Sequence, residues 1–237
     1  MKNKYLKNAR IPEKKVREIL HLFCEDLTAT QIANISGVSR ITINAYLKLI
    51  RTQIAQYCEE HSPYGDFHTA MLPVNKKEAT PEEPHIQEQS FYGFYKNGST
   101  IYTKNILHTD PAWLNNWVRG RISVPQSVIE ESELHIFEAI ADFSRTKLYR
   151  LNNSSPFTKA KSTIDEIDLF WGILKSRIVK FRGLNTGTTY LHIKESEFRY
   201  NNRNHDLFAL VHSLIQRRPL HYLKQEATSF FIERSPM

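Results

Sequence analysis

Residues Ser162–Asn204 read STIDEIDLFWGILKSRIVKFRGLNTGTTYLHIKESEFRYNNRN, and the first half of this stretch decides the fold. Ile164, Ile167, Trp171, Leu174, Ile178 and Phe181 recur at alternating steps of three and four, which gathers them on one face of a helix. Asp168 lies one turn from both Ile164 and Trp171, at the edge of that apolar stripe. A carboxylate there is costly to bury unless a cation meets it. Lys175, Arg177, Lys180 and Arg182 fall on the other faces, and Gly183 is placed to stop the helix. The stretch thus predicts a helix with a core face, a carboxylate near its start and a basic surface toward its end. Thr188–Arg203 predicts a second helix and Asp206–Arg217 a third, with Leu207, Leu210, Val211 and Leu214 inward and Pro219 as its stop.

Upstream, the periodicity changes from helical to alternating. FHTAMLPV, from Phe67, is strand-like, and NKKEATPEEPHIQEQ is a charged, proline-containing loop. SFYGFYK and STIYTKNIL flank Asn97-Gly98, a dipeptide that favours a type I′ hairpin. Tyr92, Tyr95, Phe91 and Tyr102 then read as cross-strand packing rather than as a base-stacking platform. Asp110-Pro111 opens a helix carrying Trp113, Leu114, Trp117 and Val118, closed by Arg119 and Arg121. Val128-Ile129 reads as the start of a short strand running into Glu130, Glu131 and Glu133; residues 134–143 read as helix and Lys147–Leu151 as strand. The order predicts an α/β fold with a mixed sheet and C-terminal helices.

The N-terminal segment is helical. Residues 13–27 carry Ile19, Leu20, Phe23, Cys24 and Leu27. Then comes TATQIANISGVSRITINAYLKLIRTQI, in which Thr28 caps a short helix, Gly37 permits a tight turn and Ser39 caps the next helix. Ala33, Gly37 and Ile43 have the spacing of a helix-turn-helix. In a DNA reader the second helix would place Arg40 and Asn44 at base edges, while Thr28, Ser39, Lys48 and Arg51 would hold phosphates. These patterns divide the chain into a helix-turn-helix module over 1–60, an α/β core over 61–220 and a tail over 221–237.

Composition bounds the rest. The 237 residues are 41% hydrophobic and 24% charged, a globular balance, and the net charge of +7 suits a polyanion such as DNA. Two cysteines, Cys24 and Cys58, cannot build a zinc ribbon and fit a reducing cytoplasm. The basic N-terminus is followed by no apolar h-region and no run is long enough to span a membrane, so neither a signal peptide nor a membrane partner is expected. His108, His192 and His212 are isolated and suggest no ligand set.

IDLFWGILKSRIVKFRG followed by YLHIKESEFRYNNRN, with GFYKNGSTIYT and NNWVRGRI before it, resembles the DDE transposases of bacterial insertion sequences. The resemblance is to the group that sets a helix-turn-helix ahead of an RNase-H-like core. It implies two Mg²⁺ ions clamped by three acids, action on double-stranded DNA, and a homo-oligomer such as a dimer. Asp168 falls on the helix acid of such enzymes; the second acid falls near Ser132 and the first near Ala70, where this chain has none. The resemblance therefore implies a DNA-binding protein with an eroded metal site, no expected cofactor, and Lys175, Arg177, Lys180, Arg182, Arg199 and Arg203 along the DNA backbone. One alternative is an active Mg²⁺-dependent transposase with displaced acids Asp66, Glu131 or Glu133, and Asp168. Another is a protein-interaction scaffold that binds no nucleic acid.

Overall fold

The computed structural model describes residues 11–63, 91–106, 109–151, 165–181 and 186–220. The strand expected from Phe67, the loop after it, Asp66, Ala70, His108, Ile164, Arg182, Gly183 and the tail beyond 220 lie outside these residues. The described residues form eight α-helices and four strands, an α/β fold with helices at both ends of the chain. They divide into two compact units, one of the residues up to Ile54 together with those from Asn204, the other of those from Ala55 to Arg203.

In the first unit, α1 (Glu13–Cys24) buries Val16, Ile19, Leu20 and Phe23. Thr28 and Gln31 form a capping box at the start of α2 (Ala29–Ser36): the Gln31 N–H donates to Thr28 Oγ1 at 3.4 Å and the Thr28 N–H to Gln31 Oε1 at 2.9 Å. Gly37 turns the chain with φ +69°, a left-handed conformation that a side chain would strain. Lys15 donates to the carbonyl of Ser36 at 2.7 Å, so an orphan group at the end of α2 is satisfied. Ser39 accepts from the N–H of Thr42 at 3.3 Å and opens α3 (Arg40–Glu60). Ile43, Tyr46, Leu47, Ile50 and Ile54 are its buried face. α8 (Leu207–Arg217), capped by Asp206, buries Val211 and Ile215, and its Phe208 stacks on His21 of α1 with centroids 3.5 Å apart.

In the second unit a sheet runs in the order β2-β1-β3-β4: β1 (Phe91–Asn97), β2 (Thr100–Asn105), β3 (Ala139–Asp142) and β4 (Lys147–Arg150). All three described pairings are antiparallel. The hairpin between β1 and β2 forms where expected, but its turn differs. Asn97 pairs with Thr100, leaving Gly98-Ser99 as the loop, and only Gly98 has positive φ, +59°. That is the type II′ pattern, with glycine first, rather than type I′.

The register sorts the sheet into two faces. Thr103, Phe94, Ala139 and Arg150 lie in one row; Lys104, Gly93, Ile140 and Tyr149 form the next and point the opposite way. On the first face Tyr92, Phe94, Ile101, Ala139 and Ala141 pack against α6 (Glu166–Lys180) and α7 (Thr186–Asn201) through Ile167, Phe170, Trp171, Leu174, Ile193 and Tyr200. Ile167, Trp171, Leu174 and the partly buried Ile178 of the predicted stripe therefore face the core, with Phe170 added, while Phe181 is the C-cap of α6. On the second face Phe91, Tyr95, Ile106 and Ile140 meet α4 (Pro111–Val118) through Leu114, Trp117 and Val118, together with Leu134, Ile136 and Phe137.

Two predicted elements are corrected. Val128-Ile129 is not a strand but part of α5 (Gln126–Glu130), which follows Pro125 as its N-cap. Residues 134–143 are not one helix: a 3-10 turn over Glu133–Ile136 leads into β3, which is buried along its whole length. α7 is equally enclosed, with every residue from Leu191 to Phe198 buried. Its charges are paired. Lys194 reaches Glu59 at 2.8 Å, Glu197 at 3.1 Å and the carbonyl of Thr103 at 2.6 Å. Burial pulls the Lys194 ammonium down, but the two carboxylates more than offset it and hold it above the usual lysine range.

Candidate nucleic-acid interface

The surface offered by α2 and α3 follows from which faces they bury. With Ile43, Leu47 and Ile50 inward, Ser39, Arg40, Asn44 and Lys48 are exposed, and Thr28 at the start of α2 is half-buried. Arg40, Asn44 and Lys48 stand at successive steps of four, one above another on α3. Between Asp26 and Glu59 the chain has no acidic residue, so this stretch of α2 and α3 carries no charge of its own that would repel a phosphate backbone. Arg51 departs from the expected phosphate role. It is buried at 8% exposure, with its guanidinium 5.7 Å from the ring of Phe23, and cannot reach a duplex.

The basic surface expected on α6 and α7 is smaller than its sequence implies. Lys175 and Lys180 are exposed. Arg177 is buried, donating to Glu195 at 2.8 Å and to Ser196 Oγ at 3.0 Å. Arg199 donates to the same Glu195 oxygen at 2.8 Å, so one acid holds both guanidinium groups. Arg203 is exposed but folded back, donating to the carbonyl of Tyr200 at 2.8 Å and lying 4.4 Å from its ring centroid. A buried arginine and its distant partner leave no local pattern, which is why position on a helical wheel misplaces Arg177.

Asp168 is met by the cation its position calls for. Arg150 on β4 approaches Asp168 Oδ1 at 3.8 Å and makes two hydrogen bonds to Asp165, one of 3.1 Å and one shorter. Asp165 is the N-cap of α6, accepting from the N–H groups of Ile167 at 3.0 Å and Asp168 at 3.1 Å. Asp168 completes the capping box by accepting from the N–H of Asp165 at 3.4 Å. The remaining acid of this turn, Glu166, pairs with Lys96 of β1 at 3.2 Å. Burial raises the Asp165 carboxyl, but Arg150 and the backbone donors lower it further, leaving it below the usual carboxylate range. Neither Arg150 nor Lys96 was singled out from the sequence. Each stands on a strand that the fold alone brings to α6.

Of the other candidate acids, Glu131 and Glu133 do not join this cluster, and Asp66 lies outside the described residues. Glu133 is buried and pairs at 3.3 Å with Lys104, which belongs to the opposite row of the sheet from Arg150, so the sheet stands between Glu133 and Asp168. Glu131 is the exposed C-cap of α5. Ser132, near which the resemblance would set the second acid, is fully buried and caps the 3-10 turn by accepting from the N–H of Leu134 at 3.2 Å. Among the described residues no three of His, Cys, Asp and Glu gather as a metal site would require. Among the described residues the donors around Asp168 therefore do not make a two-ion Mg²⁺ clamp, because a guanidinium holds the ground a cation would need. Among the described residues no helix is long and apolar enough to cross a membrane.

Over 102 residues, 43% of this chain and 81% of the other, the chain is 28% identical to an uncharacterized transposase-like protein of Haemophilus influenzae. No family model matches the chain. No solved structure matches it.

Proposed function

We propose that this chain is a DNA-binding protein of insertion-sequence transposase type, with a helix-turn-helix ahead of an RNase-H-like core, that carries out no metal-dependent strand chemistry at Asp168. The observation that carries the reading is the exposed, acid-free row of Arg40, Asn44 and Lys48 on α3. Arg40 and Asn44 suit bidentate contacts to guanine and adenine in the major groove. Ser39, Lys48 and Thr28 contribute backbone contacts, and Lys175 and Lys180 add positive charge on the core. Arg51 and Arg177 are left out because they are buried. The relative's description as transposase-like supports DNA as the partner. The cytoplasm as location and a dimer as assembly belong to the same reading and rest on the family resemblance.

Selection from random duplexes in EDTA tests it. The expected result is enrichment of a defined sequence, bound with steep salt dependence. Lys48→Ala should reduce the slope of log K against log salt by about one, uniformly across sequences. Arg40→Ala should cost about 1–3 kcal/mol on the enriched duplex and relax one position. A protein-interaction scaffold would enrich nothing. Divalent-dependent cleavage abolished by Asp168→Ala would show a working transposase and overturn the proposal.

A further inference from the structure

Ile41 is 84% exposed, more than any other exposed large hydrophobic among the described residues. It stands in the first turn of α3, roughly opposite the fully buried Ile43. On the helical wheel, Arg40, Asn44, Lys48 and Ile41 fall within an arc of about 100°, with Ile41 at its edge. A β-branched side chain left in water beside an arginine and an asparagine gains nothing for the fold. A single exposed apolar residue is common on protein surfaces, but a β-branched one also loses side-chain freedom in a helix. In a face that is otherwise polar and free of acids, one apolar residue matches a ligand that is itself polar and anionic with isolated apolar points. Duplex DNA has such a point in the major groove: the C5-methyl group of thymine.

We infer that Ile41 is a specificity-determining residue that packs on a thymine methyl next to the bases read by Arg40 and Asn44. This rests on the reading of α2 and α3 as a duplex reader. Its ligand is a T-containing step of double-stranded DNA. Charge complementarity favours that occupant over a second copy of this surface, because two such faces would set Arg40 and Lys48 of each copy against each other.

The test uses the full chain and the duplex enriched by selection. Each thymine is replaced in turn by deoxyuridine, which removes the methyl group and keeps the base pair, and affinity is read by fluorescence anisotropy. At one position the native chain should lose roughly fourfold, the size of one buried methyl group. Ile41→Ala should weaken binding to the thymine duplex and bind the thymine and deoxyuridine duplexes equally at that position. Ile41→Val, which keeps a branched surface, should retain part of the discrimination. Circular dichroism of both variants should match the native chain and their thermal unfolding should come no lower, since the side chain is in solvent and alanine favours the helix. Sequence-specific binding in which no deoxyuridine matters, or in which Ile41→Ala discriminates as the native chain does, would overturn the inference and leave the duplex-reading proposal standing. A dimer dissociated by Ile41→Ala, with no methyl dependence, would make the residue a protein contact and would also overturn it. Absence of any sequence-specific binding would overturn both.

Discussion

Arg150 stands on β4 and meets both carboxylates that cap the first turn of α6. Those carboxylates already complement the positive end of the helix dipole, so the guanidinium adds a second, directed partner. Arg150→Met keeps much of the apolar stem and removes the charge. The expected loss at neutral pH is about 1.5–3 kcal/mol, the range for hydrogen bonds to charged groups. The pH dependence follows from the Asp165 carboxyl, which is held below its ordinary range in the folded protein. A depressed carboxyl contributes stability that is present above the unfolded value and is lost as pH falls through the folded one. The gap between native chain and variant should therefore narrow below about pH 4. Urea unfolding at pH 7 and at pH 3 measures it, and an equal gap at both would assign the effect to packing of the arginine stem instead.

At the scale of elements, the hairpin strands, α4 and α6 are legible because their periods are clear, and α4 also because its cap agrees. Asp110 accepts from the N–H groups of Ala112 and Trp113 at 2.7 and 3.1 Å, with Pro111 at the first helical position, as its dipeptide implies. The segment from Pro125 to Asp142 misleads because its signals conflict. Val128 and Ile129 are β-branched but sit in a single helical turn after a proline cap. Ala139–Asp142 is buried on both faces, and a continuous apolar run cannot be told from a buried helix by period. The same burial makes a steric claim testable. Gly93 on β1 lies directly under the ring of Phe137, and a Cβ added there would fall on that ring. Gly93→Ala should destabilise by about 1–3 kcal/mol through overpacking. Phe137→Leu in the same chain should recover part of it, read as an interaction term in a double-mutant cycle by denaturant unfolding. Strict additivity would mean the sheet shifts to admit the methyl group without involving Phe137.

The legibility of the candidate site follows the same division by range. Local features were readable: the Thr28 cap, Gly37, and the exposed row on α3. Features that depend on a distant partner were not, such as Arg177 drawn under by Glu195 or Asp168 neutralised by Arg150. The chain as a whole offers a probe of that difference, because each compact unit carries one cysteine and neither forms a disulfide. Cys58 is buried, with its thiol pushed well up, by burial first and then by the nearby Glu197 carboxylate. Both effects suppress the thiolate that reacts with alkylating reagents. Cys24 is half-buried on α1. Under native conditions Cys24 should react with a maleimide first, and Cys58 only through opening of the second unit. Labelling across a urea series, read by mass spectrometry of peptides, should then give separate midpoints if the units open independently and one shared midpoint if they unfold together. Rapid native-state labelling of Cys58 would contradict the closed packing of α7 against the sheet, and with it the burial of the Lys194 and Glu195 ion pairs.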